Sequence, residues 1–110
     1  MCRSLMLHHT EHGCVSLCSE CSKIQICFGT TATVHSYNEF STFCRMIDDL
    51  LETRGNTESR FQKTVFISTQ IENLMLAFSI EELEYLNDLL SQASAMLSIR
   101  SILLTERCKN

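Results

Sequence analysis

Proline is absent from the 110 residues, and glycine occurs only three times, at positions 13, 29 and 55. Because these residue types mark most turns and helix ends, the few glycines indicate element boundaries sharply. A phosphate-cradling loop needs several glycines close together. The scarcity of glycine therefore excludes that class of nucleotide site.

Long apolar runs are also missing, since the longest, Leu74–Phe78, has five residues. A membrane-spanning helix needs about 20 apolar residues, so we expect no membrane association. The first residues contain one basic side chain, Arg3, and no sustained apolar stretch. We therefore expect no secretory signal and a cytoplasmic location.

Basic residues do not predominate either, because nine Lys and Arg stand against 13 Asp and Glu, for a net charge of −4. Residues 79–97 contain four acidic and no basic side chains, which would repel phosphates. General nucleic-acid binders usually present a clustered basic face. We expect no such binding, and a protein partner or a homodimer instead.

The chain length predicts one domain, residues 1–110, because 110 residues supply a single core. Hydrophobic residues make up 45% and charged residues 20%, which is ordinary globular composition. Gly29 separates two short apolar runs and predicts a hairpin, with Ile24, Ile26 and Phe28 on one face. Ser36 and Glu39 then form a capping box that predicts a helix to about Arg54.

Gly55 fits a helix C-terminal cap in the left-handed conformation, and residues 55–63 form a polar linker. The pattern then repeats. Val65 and Ile67 predict a strand, Gln70–Asn73 a turn, and Leu74–Phe78 a return strand. Ser79 and Glu82 form a second capping box before a helix that extends to about residue 104.

The predicted fold class is α+β, with two consecutive strand–strand–helix (ββα) units, residues 24–54 and 64–105. Their antiparallel sheet packs on two helices, and residues 1–23 form a Cys/His-rich leader. An offset of 43 residues aligns the two capping boxes, and internal duplication and independent origin both remain open. The second helix either covers both hairpins or packs its far end on another subunit.

Seven cysteines are many for this length. Their odd number and the lack of an export signal favour reduced thiols over a disulfide framework. Cys27 and Cys44 fit apolar patterns as small hydrophobic residues. Cys18 and Cys21 form a Cys-x2-Cys motif before a strand, and two such thiolates can bind one ion.

A structural zinc site needs four ligands, and thiolate and imidazole suit zinc best. His12 and Cys14 are the nearest further candidates, so the predicted metal ligands are Cys18, Cys21, His12 and Cys14; His8 and His9 lie nearby. No second Cys-x2-Cys exists. Cys2, His35 or Cys108 could complete the site, two subunits could share an ion, or the cysteines could bind no metal.

Two catalytic interpretations of these cysteines are less favoured. Cys14-x3-Cys18-x2-Cys21 has the spacing of the iron–sulfur motif in radical S-adenosylmethionine enzymes, but the match covers eight residues and the chain is too short for their barrel. A thiol redox role for Cys18 and Cys21 would resemble thioredoxin, where the motif begins a helix. Here it precedes a strand.

The chain also resembles a small uncharacterised bacterial domain family. The resemblance covers His8-His9, Glu11, Gly13, Cys18-x2-Cys21, the run Ile24-x-Ile26-x-Phe28-Gly29-Thr30, and Phe40 with Phe43, and more loosely Ser79 and Glu82-Leu83. It implies that Cys18 and Cys21 are the primary pair and that Cys14 is a doubtful ligand. It implies no activity.

The leading hypothesis from the sequence is a non-enzymatic interaction or regulatory module that binds zinc. A metal-free dimeric interaction domain and a thiol redox protein are the alternatives.

Overall fold

The computed structural model describes the backbone of residues 4–108 and the side chains of residues 4–100. Within these residues, four strands precede a helix, and two further strands precede a second helix. The elements are β1 (Ser4–Thr10), β2 (Gly13–Cys18), β3 (Ile24–Phe28), β4 (Thr31–His35), α1 (Tyr37–Arg54), β5 (Val65–Ser68), β6 (Met75–Phe78) and α2 (Ile80–Cys108). The predicted α+β class is confirmed.

Strands β1 to β4 form an antiparallel sheet in chain order, and β5 and β6 form a separate two-stranded sheet. The residues predicted to be a leader contain β1 and β2, so four strands rather than two precede α1. Strand β1 was not predicted within this leader because a bulge between Met6 and His8 interrupts its pairing with β2. A bulge breaks the period-two pattern by which strands are identified in a sequence.

The β3–β4 hairpin forms where it was predicted, with a two-residue connection between Phe28 and Thr31. Gly29 adopts a φ of +59°, a left-handed conformation that glycine tolerates at no steric cost. Ile24 and Ile26 are buried, whereas Gln25 is exposed. The predicted alternation of buried and exposed positions in β3 is therefore confirmed there.

Helix α1 begins as the capping box predicts. The backbone N–H of Glu39 donates to the Ser36 hydroxyl at 3.2 Å, and the Ser36 N–H donates to the Glu39 carboxylate at 2.7 Å. The C-terminal prediction is wrong in its geometry, because Gly55 has φ −59° and ψ −29°. Its N–H donates to the Leu51 carbonyl, so right-handed backbone continues through the cap.

Residues 55–64 are held by ion pairs to both helices. Arg54 binds Glu58 and donates to the Thr64 carbonyl at 3.2 Å. Arg60 binds Glu84 of α2 through two hydrogen bonds, the shorter of 2.6 Å. These contacts fix the approach to β5, in which Val65 is fully buried.

Helix α2 contributes more residues to the core than any other element does. Its second capping box is present, with the Glu82 N–H donating to the Ser79 hydroxyl at 3.1 Å and the Ser79 N–H donating to Glu82 at 2.9 Å. The helix packs on β1, β2, β6 and α1. Its buried residues are Ile80, Leu83, Leu86, Leu89, Leu90 and Ala93, which meet Val15, Leu17, Ile24, Ile26, Phe40 and Ile47 of the other elements.

In the described part of the chain, neither helix is both long and apolar enough to cross a membrane.

Removal of the α2 cap tests the contribution of this helix start. We expect Ser79→Ala to lower the free energy of unfolding by about 1 kcal/mol, because the substitution removes an N-cap acceptor. Urea denaturation measures the change. Ser91→Ala, at an exposed position of the same helix, is the control and should leave stability unchanged or slightly raised, since alanine favours helix. Equal effects of the two variants would contradict a capping role.

The Glu82 carboxylate predicts a pH dependence of stability. Burial raises its pKa, but Lys63 at 2.7 Å and the Ser79 N–H outweigh burial, so the net shift of the pKa is downward. A carboxyl with a lowered folded-state pKa stabilises the fold above its unfolded pKa, and this contribution is lost as pH falls through the folded value. We therefore expect Glu82→Gln to be less stable than wild type near neutral pH and to lose less stability between about pH 5 and 3. Thermal denaturation across this range measures both, and parallel curves would contradict the expectation.

Candidate functional site

The Cys-x2-Cys motif forms the turn between β2 and β3. Cys18 is the last residue of β2, and β3 begins at Ile24. The Cys18 N–H donates to the Lys23 carbonyl at 2.8 Å, and the Ser22 N–H donates to the Cys18 carbonyl at 2.9 Å. Ser22 has a φ of +57°, so a left-handed residue directly after Cys21 closes the turn.

This turn directs a backbone donor at a sulfur. The Cys21 N–H donates to Cys18 Sγ at 3.4 Å. Such a hydrogen bond favours the thiolate form of the acceptor sulfur, which is the form that binds metals. Cys21 itself is exposed and Cys18 is half-buried, so an ion can approach the turn from solvent.

The other two predicted ligands lie at the opposite end of β2. Cys14 precedes Cys18 by four residues of one strand, which corresponds to about 13 Å at the rise of a β-strand. His12 lies in the β1–β2 turn, where its ring stacks on Tyr85 of α2 with centroids 3.8 Å apart. Among the described residues no three His, Cys, Asp or Glu side chains are grouped to hold a metal ion. The structure therefore brings Cys18 and Cys21 together and leaves His12 and Cys14 apart from them.

The remaining candidates differ in what the structure describes. His35 bonds to Thr33 Oγ1 at 2.8 Å and stacks on Phe43 at 5.5 Å. Burial lowers the pKa of His35, and the charge of Glu39 opposes this shift. His35 thus has a packing role between β4 and α1. Cys2 and the side chain of Cys108 lie outside the described residues.

The four-stranded sheet has one face that is not packed on α2, here called the outer face. It contains Met6 and Val34, which are 54% and 61% exposed, and the alternate residues Cys14, Gln25 and Cys27. Cys14 and Cys27 lie directly opposite each other on β2 and β3. The alternation of β3 in the sequence already separates Cys27 and Gln25 from Ile24 and Ile26, but it gives no sign that Cys14 lies opposite Cys27.

A separate cleft of about 270 Å³ lies between β3, β4, β6 and α2. Phe28, Phe78 and Leu86 provide apolar walls, and Lys63 and Glu82 lie at its rim. Lys63 is paired with Glu82, which also caps α2. The charged groups of Lys63 and Glu82 are therefore bound to each other and, for Glu82, to the start of α2.

A family model described as "Family of unknown function (DUF6686)" matches residues 1–107. The chain belongs to this family. The predicted membership of an uncharacterised domain family is thereby confirmed, and membership of DUF6686 assigns no activity. No curated protein and no solved structure matches the chain.

The His12–Tyr85 stack predicts that these rings couple the β1–β2 turn to α2. A double-mutant cycle with His12→Ala and Tyr85→Ala should give a coupling energy of about 0.5–1.5 kcal/mol, which is typical of stacked aromatic pairs. Chemical denaturation of the two single variants and the double variant measures it. Tyr37→Ala combined with His12→Ala is the control and should show no coupling. A coupling near zero for the first pair would contradict the packing role.

Proposed function

We propose that the β2–β3 turn binds a zinc ion through Cys18 and Cys21, and that the chain is a non-enzymatic interaction or regulatory module stabilised by that ion. The observation that carries this proposal is the hydrogen bond from the Cys21 N–H to Cys18 Sγ. It favours a thiolate at the first position of a Cys-x2-Cys turn. Zinc fits best, because paired thiolates on a short turn favour tetrahedral zinc among the common ions.

The fold supports a binding module more than a thiol enzyme. The motif connects two strands, whereas redox-active Cys-x2-Cys pairs gain thiolate character from the helix that they begin. The turn also lies at one end of the hairpin, where Cys21 is exposed. An ion there would join the end of β2 to the start of β3 and stabilise the central hairpin of the sheet.

Two ligands of a tetrahedral site remain to be supplied. Cys2 is two residues before Ser4, the β1 residue that pairs with Cys18. Cys2 is therefore a candidate ligand by its position in the sequence alone. The second possibility is that two copies of the chain each contribute Cys18 and Cys21 to one ion. These arrangements differ in stoichiometry, with one ion per chain in the first and half an ion per chain in the second.

A metal-free interaction domain is the second candidate. The outer side of the β5–β6 sheet exposes Phe66 and Met75, at 57% and 58%. Ile99, near the described end of α2, is 50% exposed. Large apolar side chains of this kind are typical of protein–protein contacts when they are clustered. This candidate predicts a concentration-dependent dimer that chelators do not change.

Metal analysis of untreated protein tests the zinc proposal. We expect protein purified without added metal or metal-affinity resin to contain 0.5 or 1 equivalent of zinc, roughly, by elemental analysis. Native mass spectrometry then distinguishes a monomer with one ion from a dimer that shares one. Less than about 0.2 equivalents would contradict the proposal, since a structural zinc is retained through purification.

Ligand variants identify the site. Cys18→Ser and Cys21→Ser should each abolish zinc binding and lower the melting temperature by roughly 10 °C or more, because structural zinc contributes folding free energy. Cys27→Ser, in the same hairpin, is the matched control and should retain the metal. Cys14→Ser should also retain it, given its distance from the turn. Cys2→Ser and Cys108→Ser then test the remaining ligands. Unchanged zinc content in the Cys18 and Cys21 variants would contradict the assignment.

A further inference from the structure

A second pair of cysteines lies at the other end of the same hairpin. Cys14 of β2 and Cys27 of β3 are direct partners in the antiparallel register. His9 of β1 lies opposite Cys14, and Ala32 of β4 lies opposite Cys27. Residues that are directly opposite share a face of the sheet, so these four side chains form a row across the outer face.

The hydrogen-bond ladder defines the spacing of this pair. The Gly29 N–H donates to the His12 carbonyl, and the Cys18 N–H donates to the Lys23 carbonyl. Because hydrogen-bonded and non-hydrogen-bonded pairs alternate along an antiparallel ladder, Cys14 and Cys27 form a hydrogen-bonded pair. Such pairs have Cα atoms about 5.5 Å apart. This distance lies inside the range of about 4.4–6.8 Å between the Cα atoms of a disulfide. The Cβ atoms of such a pair, up to about 5.5 Å apart, must approach to about 3.5–4.5 Å, so the bond is strained and easily reduced.

The two sulfurs are in different electrostatic surroundings. The Cys14 thiol is hydrogen-bonded to Cys27, and burial, followed by the neighbouring Cys27, raises the pKa of Cys14. Cys27 Sγ also accepts a hydrogen bond from Gln25 Nε2 at 3.2 Å. The two contacts hold the Cys27 sulfur beside Cys14 on the outer face of the sheet. The arrangement therefore provides two adjacent sulfurs, of which Cys27 can react first and Cys14 can resolve the product.

Solvent reaches the row from its ends. His9 and Ala32 are exposed, and Cys14 and Cys27 are half-buried. Ala32 presents only a methyl group beside Cys27, so a small oxidant can approach that sulfur along the sheet. Cys44 lies apart from this row on α1, where burial raises the pKa of its thiol to about 11.

We propose that Cys14 and Cys27 form a reversible oxidation site at which a hydroperoxide converts the two thiols into a cross-strand disulfide. This inference does not depend on the zinc proposal, since neither residue belongs to the Cys18–Cys21 turn. It concerns different sulfurs from those of the sequence-based redox hypothesis.

The chemistry balances with hydrogen peroxide as the oxidant. The Cys27 thiolate attacks one peroxide oxygen and the O–O bond breaks, which gives a sulfenic acid and a hydroxide that leaves as water after taking a proton. The Cys14 sulfur then attacks the Cys27 sulfur and the S–O bond breaks. The hydroxyl leaves with the Cys14 proton as a second water. A low-molecular-weight thiol restores both cysteines by disulfide exchange and is itself oxidised to its disulfide.

Peptide mapping of the full chain tests the proposal. Reduced protein is treated with a small molar excess of hydrogen peroxide, its remaining thiols are alkylated, and the protein is digested with trypsin without reduction. Cleavage after Lys23 separates Cys14 from Cys27, so a bond between them joins two peptides. We expect the majority of oxidised chains to show this link by fragmentation, and glutathione to reverse it. A link that uses Cys18 or Cys21, or sulfinic acid at Cys27 without a link, would overturn the proposal.

Variants separate attacking and resolving roles. Cys14→Ser should prevent the link and leave a sulfenic acid at Cys27 that reacts with dimedone, because the resolving thiol is missing. Cys44→Ser is the control and should form the link as wild type does. Circular dichroism verifies that each variant is folded, and the wild-type map stands alone if a variant does not fold. Dimedone labelling of Cys14 in Cys27→Ser at the same rate would overturn the assignment of Cys27 as the attacking residue.

Discussion

Burial of helix α2 is the constraint on which the rest of the structure depends. Leu83, Leu86, Leu89, Leu90 and Ala93 are all at most 1% exposed. A fully buried leucine contributes about 1.5–3 kcal/mol of transfer free energy, and no single neighbour covers so wide an apolar surface. The helix therefore requires β1 and β2 on one side, α1 on another and β6 near its start. The two sheets are brought together through the same helix and through the contact of Phe28 with Phe78.

One consequence is that the four-stranded sheet buries a single face. Strand alternation places Val15 and Leu17 against the core and Cys14 and Cys18 on the outer face. These cysteines thus lie on the face of the sheet that is not packed in the core. They are concentrated on the β2–β3 hairpin, with Cys18 and Cys21 at the turn and Cys14 and Cys27 near the other end. This separation would make the proposed metal binding at one end independent of the proposed thiol oxidation at the other.

Short sequence motifs correctly predicted the helix starts and the β3–β4 hairpin, because these features depend on contacts between residues close in sequence. Both capping boxes are present because Ser36 with Glu39, and Ser79 with Glu82, satisfy helix N–H groups within one turn of chain. Gly29 closes its hairpin for the same kind of reason. The predictions failed where the conformation of a segment depends on its hydrogen bonds to another segment or to the preceding helical turn. Strand β1 is irregular at its bulge and acquires its register only from β2, and Gly55 stays right-handed because its N–H continues the helical pattern to Leu51.

In the candidate site, too, some features follow from the local sequence and others depend on contacts between strands. The sequence alone determined that Cys18 and Cys21 share a short turn, since two intervening residues leave few other arrangements. Only the tertiary structure decided that His12 and Cys14 lie at the far end of β2, because an extended strand separates residues that are close in sequence. Only the register of β2 with β3 placed Cys14 opposite Cys27, which are 13 positions apart. Spacing along the chain constrains neighbours within a turn, whereas contacts between strands are decided by which faces the core of α2 must bury.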